Sequence, residues 1–309
     1  MNRVSTASTY LTVVANLNAA QARQLKAGTE VSSQKKADDL KGYSRSAETL
    51  TAMRAVQTRV EGYIDQSDVL SDRFTSQDTA LTQIADSAGS ARQTITDAIA
   101  SGRADTLMQE LRGYFTDTVA GLNAKSQGKY LFAGGQVNTL PVTATAMTDL
   151  TAGPPISTLF QNDQFQAVSR LDETTTLNGS FLADQVGTPL FQAFQAIQAF
   201  DQGAGGPLTG QLTQAQVTFL QGQIATFDTV HDTLINTAAV NGSYQRRIDD
   251  NKTDLSGRKT TLETMIGGVT DVDPADAISR LQQAQIAVQA SAQVFSGLQS
   301  SSLLNYLKL

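Results

Sequence analysis

The stretch VTFLQGQIATFDTVHDTLINTAAVNGSYQRRIDDNKTDL, residues 217–255, decides the fold of this chain. One set of positions within it recurs at alternating intervals of three and four residues, which is the spacing of a coiled-coil seam. The seam comprises Val217, Leu220, Ile224, Phe227, His231, Leu234, Ala238, Asn241, Gln245, Ile248, Lys252 and Leu255, and Leu262 and Ile266 extend it. Because this register persists for about seven heptads, it predicts one long helix that packs along other helices.

The segment AISRLQQAQIAVQASAQVFSGLQSSSLLNYLKL, residues 277–309, closes the chain and also has helical spacing. Its apolar seam comprises Ile278, Leu281, Val288, Phe295 and Leu298. We expect Asp273 to cap this helix, with Pro274 at its first position. Arg280 and Lys308 are its only charged side chains, whereas a solvated helix normally has a charged outer face. Gln, Ser and Ala can be packed against another chain at modest cost, so this composition favours burial on more than one side, inside an assembly.

The rest of the chain also has the sequence pattern of helices, except for one irregular stretch in the middle. The N-terminal segment has a narrow seam of Val4, Ala7, Leu11, Val14, Leu25 and Gly28, which the polar residues Asn18 and Gln21 interrupt. Further helices are predicted over residues 48–100 and from about 105 to 128, and another is predicted to start at Thr188-Pro189. Residues 136–187 are rich in Thr, Pro and Gly and have no helical period, which predicts turns and short strands.

These patterns predict a mainly α fold: an elongated, coiled-coil-like bundle of long helices formed by both chain ends, with a small β-rich or irregular domain inserted in the middle. Residues 1–42 and 273–309 are expected to be terminal helices that form the inner core of an assembly. Residues 43–135 and 188–272 are expected to form a helical bundle domain, and residues 136–187 an inserted domain that faces solvent. Because the insert shares no periodicity with its flanks, we expect residues 138–178 to be dispensable for the helical core.

The composition argues against most kinds of chemistry. A net charge of -6 and a pI near 4.8 leave no basic patch for nucleic acid, and no run of apolar residues is long enough for membrane insertion. Cysteine is absent, and the N-terminus lacks the continuous apolar region of a cleavable signal peptide. The single histidine, His231, lies at a seam position and is predicted to be buried without a catalytic partner. We therefore expect no catalytic, cofactor-binding or metal-binding residues.

Three segments resemble the bacterial flagellin family. They are YLTVVANLNAAQARQLKAGTEVSSQKKADD (10–39), NGSYQRRIDDNKTDL (241–255) and DPADAISRLQQAQIAVQASAQVFSGLQSSSLLNYL (273–307). The first is similar to the family's N-terminal seam, its Ser-Ser-Gly-Lys/Arg turn and its Asp-Asp pair, although Gln34 stands where glycine is usual. The second and third are similar to the returning helix and to the C-terminal helix. The resemblance covers about residues 4–133 and 212–307 and leaves the middle unmatched.

Two details resemble one branch of this family, that of hook-associated protein 3, whose members lie at the junction of hook and filament. The segment LNAKSQGKYLFAGGQ, residues 122–136, is similar to the branch signature Asn-Thr-x-x-x-Gly-Arg-Tyr-Leu-Phe-x-Gly. The segment VFSGLQSSSLLNYL, residues 294–307, is similar to its Phe-containing ending in Asn-Tyr-Leu.

The resemblance implies a structural subunit of the bacterial flagellum that leaves the cell unfolded through the flagellar type III export channel and acts outside it. Its implied partners are copies of itself in a ring or helical lattice, a neighbouring hook-associated protein, flagellin, and an export chaperone on the C-terminal helix. The residues expected at subunit contacts are Leu11, Val14, Leu25, Ile278, Leu281, Val288, Phe295 and Leu303. Pairing of the two end helices within one chain explains the same residues, and the sequence does not separate the two roles.

Three other interpretations stay open at this point. Filament flagellin shares the expected fold and differs in copy number. A cytoplasmic signalling hairpin of the chemoreceptor type is also rich in Ala, Gln and heptads, but it would not have the irregular middle segment. An enzyme is the least favoured, since no convergent set of polar residues is evident.

Overall fold

The computed structural model describes residues 2–306, and the side chains of residues 8–299. Within this range the α-helices are α1 (Asn2–Ser33), α2 (Ala47–Ser101), α3 (Leu107–Leu122), α4 (Ala183–Gln202), α5 (Gln214–Thr270) and α6 (Pro274–Tyr306). Short 3-10 turns span Leu40–Tyr43, Met147–Thr151 and Ile156–Leu159. Two antiparallel pairs of short strands are β1 (Lys125–Ser126) with β2 (Lys129–Tyr130), and β3 (Val168–Arg170) with β4 (Thr176–Asn178). The prediction of a mainly α fold with an irregular, strand-containing middle is confirmed.

The described residues fall into two compact units. The terminal unit consists of the two chain ends, up to Arg59 and from Arg258 onward. The central unit runs from Val60 to Gly257. The domain boundaries expected from the sequence were drawn by role in an assembly, and they stay a prediction.

Helix α5 confirms the heptad register inferred from residues 217–255. One residue in every seven is at most 2% exposed, and these residues are Leu220, Phe227, Leu234, Asn241, Ile248 and Leu255. The alternating seam positions, from Val217 to Lys252, are half-buried. His231 belongs to this second set, so the prediction that it is buried is wrong. Its ring packs beside Gly89, and its Nδ1 lies 3.7 Å from the Asp232 carboxylate.

A polar node fixes the register of α5 against α2 in the central unit. Asn241 and Gln77 are both 0% exposed, and Gln77 Nε2 donates to Asn241 Oδ1 at 3.1 Å. Asn241 Nδ2 in turn donates to the Phe74 carbonyl at 3.0 Å. A shift of either helix would leave these buried groups without partners, which costs more than the bonds contribute when made. The node therefore selects one alignment of two long helices.

An aromatic cluster joins α3, α4 and α5. The ring of Phe115 lies 5.1 Å from that of Phe191 and 5.7 Å from that of Phe194. Phe194 in turn contacts Phe227 of α5 at 5.3 Å. Edge-to-face and tilted contacts at these distances add to the free energy of area burial, so this cluster is the centre of the core.

The segment between β2 and α4 contributes buried side chains to the same hydrophobic core. Its buried side chains include Val142, Ala144, Met147, Leu150, Ile156 and Phe160, which belong to one cluster with α3 and α4. The Asn123 side chain also pairs with both backbone groups of Val142, at 2.9 Å each. The expectation that residues 138–178 are dispensable for the helical core is therefore wrong, because these side chains cover apolar surface of the helices.

The turn between β3 and β4 is held by a buried carboxylate. Asp172 Oδ1 accepts the backbone N–H groups of Thr174 and Thr175 at 2.7 Å, and Oδ2 accepts Asn251 Nδ2 at 2.8 Å. Burial acts to raise the pKa of Asp172, but these hydrogen bonds outweigh it and hold the pKa well below its ordinary value. The ionised form of Asp172 therefore ties this turn to α5.

Helix α4 begins earlier than the sequence indicated. It starts at Ala183, so Pro189 lies inside it and not at its first position. The early start is favoured because Ala183, Val186 and Gly187 are buried in the core. The proline withholds one backbone donor, and burial of the preceding turn offsets that loss.

Candidate assembly surface of the terminal helices

Helices α1 and α6 pair in antiparallel orientation within the terminal unit. At one end of the pair, the rings of Tyr10 and Phe295 lie 5.4 Å apart. At the other end, the backbone N–H of Val272 donates to the carbonyl of Gln34 at 3.0 Å. Gln34 has φ +57°, a left-handed conformation that disfavours residues other than glycine. The turn after α1 therefore has a conformation that glycine adopts without strain, at the position where the resemblance noted above leads us to expect glycine.

Polar groups close the junction between α5 and α6. Lys36 Nζ donates to the carbonyls of Gly268 and Val269 at 3.3 and 3.0 Å, which places a positive charge at the C-terminal end of α5. Asp273 directly precedes α6, and its Oδ1 accepts the backbone N–H of Ala275, in the first turn of that helix, at 2.8 Å. The prediction that Asp273 caps the last helix is confirmed, and this connection positions α6 against α1.

Two seams with three-four spacing bring the helices together. The seam of α6 comprises Ala277, Leu281, Ala284, Val288, Ser291, Phe295 and Leu298, all buried or half-buried. The seam of α1 comprises Val13, Leu17, Ala20, Gln24, Ala27 and Val31, likewise buried or half-buried. The most buried positions of both helices are alanines, which let the two backbones approach closely.

The seam of α1 differs by one residue from the one that the sequence pattern suggested. Leu11 and Leu25 belong to the predicted seam, but they are 68% and 74% exposed. The bulky leucines dominated the hydrophobic pattern, whereas the pair buries the smaller Ala20 and Ala27. Since one residue turns a helix by about 100°, this shift moves both leucines away from α6.

A buried carboxylate that sequence reasoning missed links the two helices. Glu30 is 6% exposed, and its Oε2 lies 3.3 Å from Nη2 of Arg280 on α6. Lys26, one helical turn earlier, approaches Oε1 at 3.9 Å. A buried carboxylate needs such partners, because an unpaired charge in this position costs several kcal/mol. Arg280, one of the few charged residues of α6, is thus engaged within the chain.

The sides of α1 and α6 that face away from the pair present apolar side chains to solvent. We call this set the outer face. It comprises Leu11, Leu25, Ile278, Ile286 and Val294, which are between 48% and 74% exposed. Ile286 and Val294 were not predicted, although both are apolar residues in a helix with little charge. Exposed apolar side chains that recur along one pair of helices favour association with other molecules.

The structure separates the residues predicted for subunit contacts into two groups. Val14, Leu281, Val288 and Phe295 are half-buried, the last three on the seam that faces α1. Leu11, Leu25 and Ile278 lie on the outer face. The side chain of Leu303 lies outside the described residues. The subunit-contact role of all of them stays a prediction.

Other kinds of site find no support in the described residues. There, no group of three or more His, Asp or Glu side chains is arranged to hold a metal ion. None of the helices in the described range is apolar over a length that could cross a membrane.

Comparisons with known proteins agree with this architecture. A family model of the bacterial flagellin C-terminal helical region matches residues 224–307. Flagellin FljM of Caulobacter vibrioides is 28% identical over 195 residues, which are 62% of this chain and 70% of that protein.

Solved structures share the fold at low sequence identity. A putative flagellar hook-associated protein from Vibrio parahaemolyticus is similar with a TM-score of 0.58 and 15% identity, over 72% of this chain and 97% of that one. FlgL of Bacillus cereus is similar with a TM-score of 0.53 and 17% identity, over 71% of this chain and 99% of that one. FlgL of Xanthomonas campestris is similar with a TM-score of 0.55 and 13% identity, over 69% of this chain and 98% of that one.

Paired terminal helices with apolar side chains exposed on their outer face are typical of a helical protein that assembles with other molecules, and the matched segments indicate which kind. The chain resembles the bacterial flagellin family, whose C-terminal helical region its residues 224–307 match. It is a structural component of the bacterial flagellum. This assignment replaces the cytoplasmic signalling hairpin that heptads alone also allowed.

Proposed function

We propose that this chain is the junction subunit between the hook side and the filament, and that it assembles through the outer face of its terminal helices. The observation that carries the proposal is the exposure of Leu11, Leu25 and Ile278 on helices whose inward seams are already occupied. These side chains gain burial only when another molecule covers them. Residues 1–42 and 273–309 then form the inner core of the assembly, residues 43–135 and 188–272 the surrounding bundle, and residues 136–187 contribute its outer surface.

The choice of the junction role rests on the fold comparison. The hook-associated protein from Vibrio parahaemolyticus is covered over 97% of its length by this chain. The proposed partners are copies of this chain in a ring or helical lattice, a neighbouring hook-associated protein on one side and flagellin on the other. The last proposed partner is an export chaperone that covers the C-terminal helix before assembly.

The proposed route out of the cell is the flagellar type III channel, which the chain crosses unfolded to reach the extracellular flagellum. A chain without cysteine cannot form disulfides in transit. The terminal helices suit this route, because the narrow contact between two helices contributes little stability until further copies cover their outer face.

Filament flagellin is the second candidate function. The 28% identity to flagellin FljM and the match to the flagellin C-terminal region favour it. Both candidates use the same terminal helices, so they differ in the number and position of subunits and not in the contact itself.

Immunogold labelling of sheared flagella tests the proposal. A junction subunit gives one label per flagellum, where the hook meets the filament, and deletion of its gene releases flagellin into the medium. Label along the whole filament would establish the flagellin role instead. Flagella without any label, from cells that produce the protein, would contradict both.

A further inference from the structure

A cationic cleft lies between helix α2 and the β1–β2 hairpin of the central unit. We call it the hairpin cleft, and its volume is about 230 Å³. Its apolar lining consists of Val69, Leu70, Leu131 and Val137. Arg73 and Lys129 add two positive charges to the same lining. Strand β2 of the hairpin lies in the segment GKYLFAGG, residues 128–135, which resembles a family signature and to which the proposed contacts of the terminal helices assign no role.

The cations of the hairpin cleft are not neutralised within the chain. Within the described part of the chain, the side chains of Arg73 and Lys129 make no hydrogen bond or ion pair with another residue. Arg73 is half-buried, and burial without a nearby carboxylate lowers the pKa of its guanidinium. Val69 beside it is 53% exposed. A half-buried guanidinium next to exposed apolar surface suits a carboxylate that arrives from outside.

The same unit carries a complementary groove elsewhere on its surface. This acidic groove lies between α2 and α3, and Asp78, Asp86 and Asp117 line it together with hydroxyl and amide side chains but no Lys or Arg. Asp86 and Asp117 are exposed. Along α2 the groove begins at Asp78, five residues after Arg73, and Asp86 lies about 20 Å from Arg73 along the helix axis, so the cleft and the groove are neighbouring surfaces that share no lining residue.

We propose that the hairpin cleft of one copy binds the acidic groove of the next copy, with Asp86 as the carboxylate that approaches Arg73 and Lys129. Two complementary surfaces at different places on one chain make a head-to-tail contact, which repeats into a ring or a helical lattice. A chain with a net charge of -6 otherwise repels its own copies, and opposed local charges overcome this repulsion while they set the register of neighbours. The inference rests on the proposed function and adds to it a contact made by the central unit.

A charge-exchange experiment tests the contact in flagella. Lys129→Glu and Asp86→Lys, made separately, each place like charges together at the contact, and each should lower the amount of protein in sheared flagella roughly tenfold, with more in the medium. The double variant Lys129→Glu/Asp86→Lys restores the pair between positions 129 and 86 in reversed sense, while Arg73 still faces position 86, and it should assemble clearly better than either single variant. Arg73→Gln should also reduce assembly, without a change in helical circular dichroism.

Matched controls carry the same charge changes outside both surfaces. They are Arg247→Glu, at an exposed position of α5, and Asp232→Lys, whose side chain is 80% exposed. Both should assemble like the wild type. Wild-type incorporation with normal incorporation of Lys129→Glu overturns the inference and leaves the proposed function intact. Loss in both single variants without recovery in the double variant also overturns it, because the partner would then not be the groove of a second copy. Absence of the wild-type chain from flagella contradicts the proposed function itself.

Discussion

Truncation of an outward and of an inward leucine on α1 distinguishes assembly from folding. Leu25 is 74% exposed, so Leu25→Ala removes few contacts from the monomer, and we expect a change of less than about 0.5 kcal/mol in its free energy of unfolding. Full burial of a leucine contributes roughly 1.5–3 kcal/mol, and Leu25 still has about three quarters of that to gain in an assembly. The variant should therefore lose about 1–2 kcal/mol for each subunit contact, which corresponds to roughly 5- to 30-fold weaker association.

Leu17→Ala is the matched control, because the same truncation is made on the side of α1 that faces α6. Leu17 is half-buried on the observed seam, and its truncation should lower the stability of the terminal unit by about 1–2 kcal/mol. Hydrogen exchange of the α1 and α6 amides measures this local stability in the monomer, and the fraction of each variant in sheared flagella measures assembly. The reasoning is refuted if Leu25→Ala destabilises the monomer as much as Leu17→Ala does, or if Leu25→Ala assembles like the wild type.

Three further predictions concern the monomer. Gln34→Gly should raise the free energy of unfolding of the terminal unit by up to about 1 kcal/mol, because it relieves a left-handed conformation; a decrease in thermal or denaturant stability would contradict this. Replacement of residues 138–178 by a short Gly/Ser linker should lower the melting temperature of the central unit sharply, since it uncovers the core around Met147 and Leu150; an unchanged cooperative transition in calorimetry would show that the helices need no cover. Asp172 has a lowered pKa in the folded state, so its stabilising contribution is present above the unfolded pKa of about 3.9 and is lost as the pH falls below it; Asp172→Asn should be less stable near neutral pH and should show a weaker pH dependence of unfolding between about pH 4 and pH 2 than the wild type.

The heptad register of α5 was predictable from the sequence, because one apolar or small polar residue in every seven is buried there. A long helix with one continuous apolar seam can bury that seam only by packing along other helices. Residues such as Leu220 and Ile248 are therefore buried, as the sequence indicated. The cap at Asp273 was predictable for a similar reason, since capping depends on a few adjacent residues. The resemblance to the flagellin family was evident from segments in the N-terminal and C-terminal parts of the chain.

The core role of the middle segment was not predictable from periodicity. Residues such as Val142 and Phe160 are spread over turns and 3-10 segments, where burial follows no fixed spacing. The start of α4 was misplaced because a local rule for proline competed with burial of the turn before it. In both cases contacts between residues distant in the chain outweighed the local signal.

The sequence by itself determined that this protein has long helices, a C-terminal segment with few charged residues and a resemblance to the flagellin family, because these properties follow from local spacing and composition. Only the tertiary structure decided which side of each terminal helix is occupied within the chain. In α1 the side that packs against α6 contains the small residues Ala20 and Ala27. These alanines favour the pairing because they allow the two helix backbones to approach closely, and their hydrophobicity is less important. Close approach is a property of two surfaces together, so the pattern of either helix alone does not contain it. For this reason Leu11 and Leu25 could be placed on the outer face only when α6 was seen against α1.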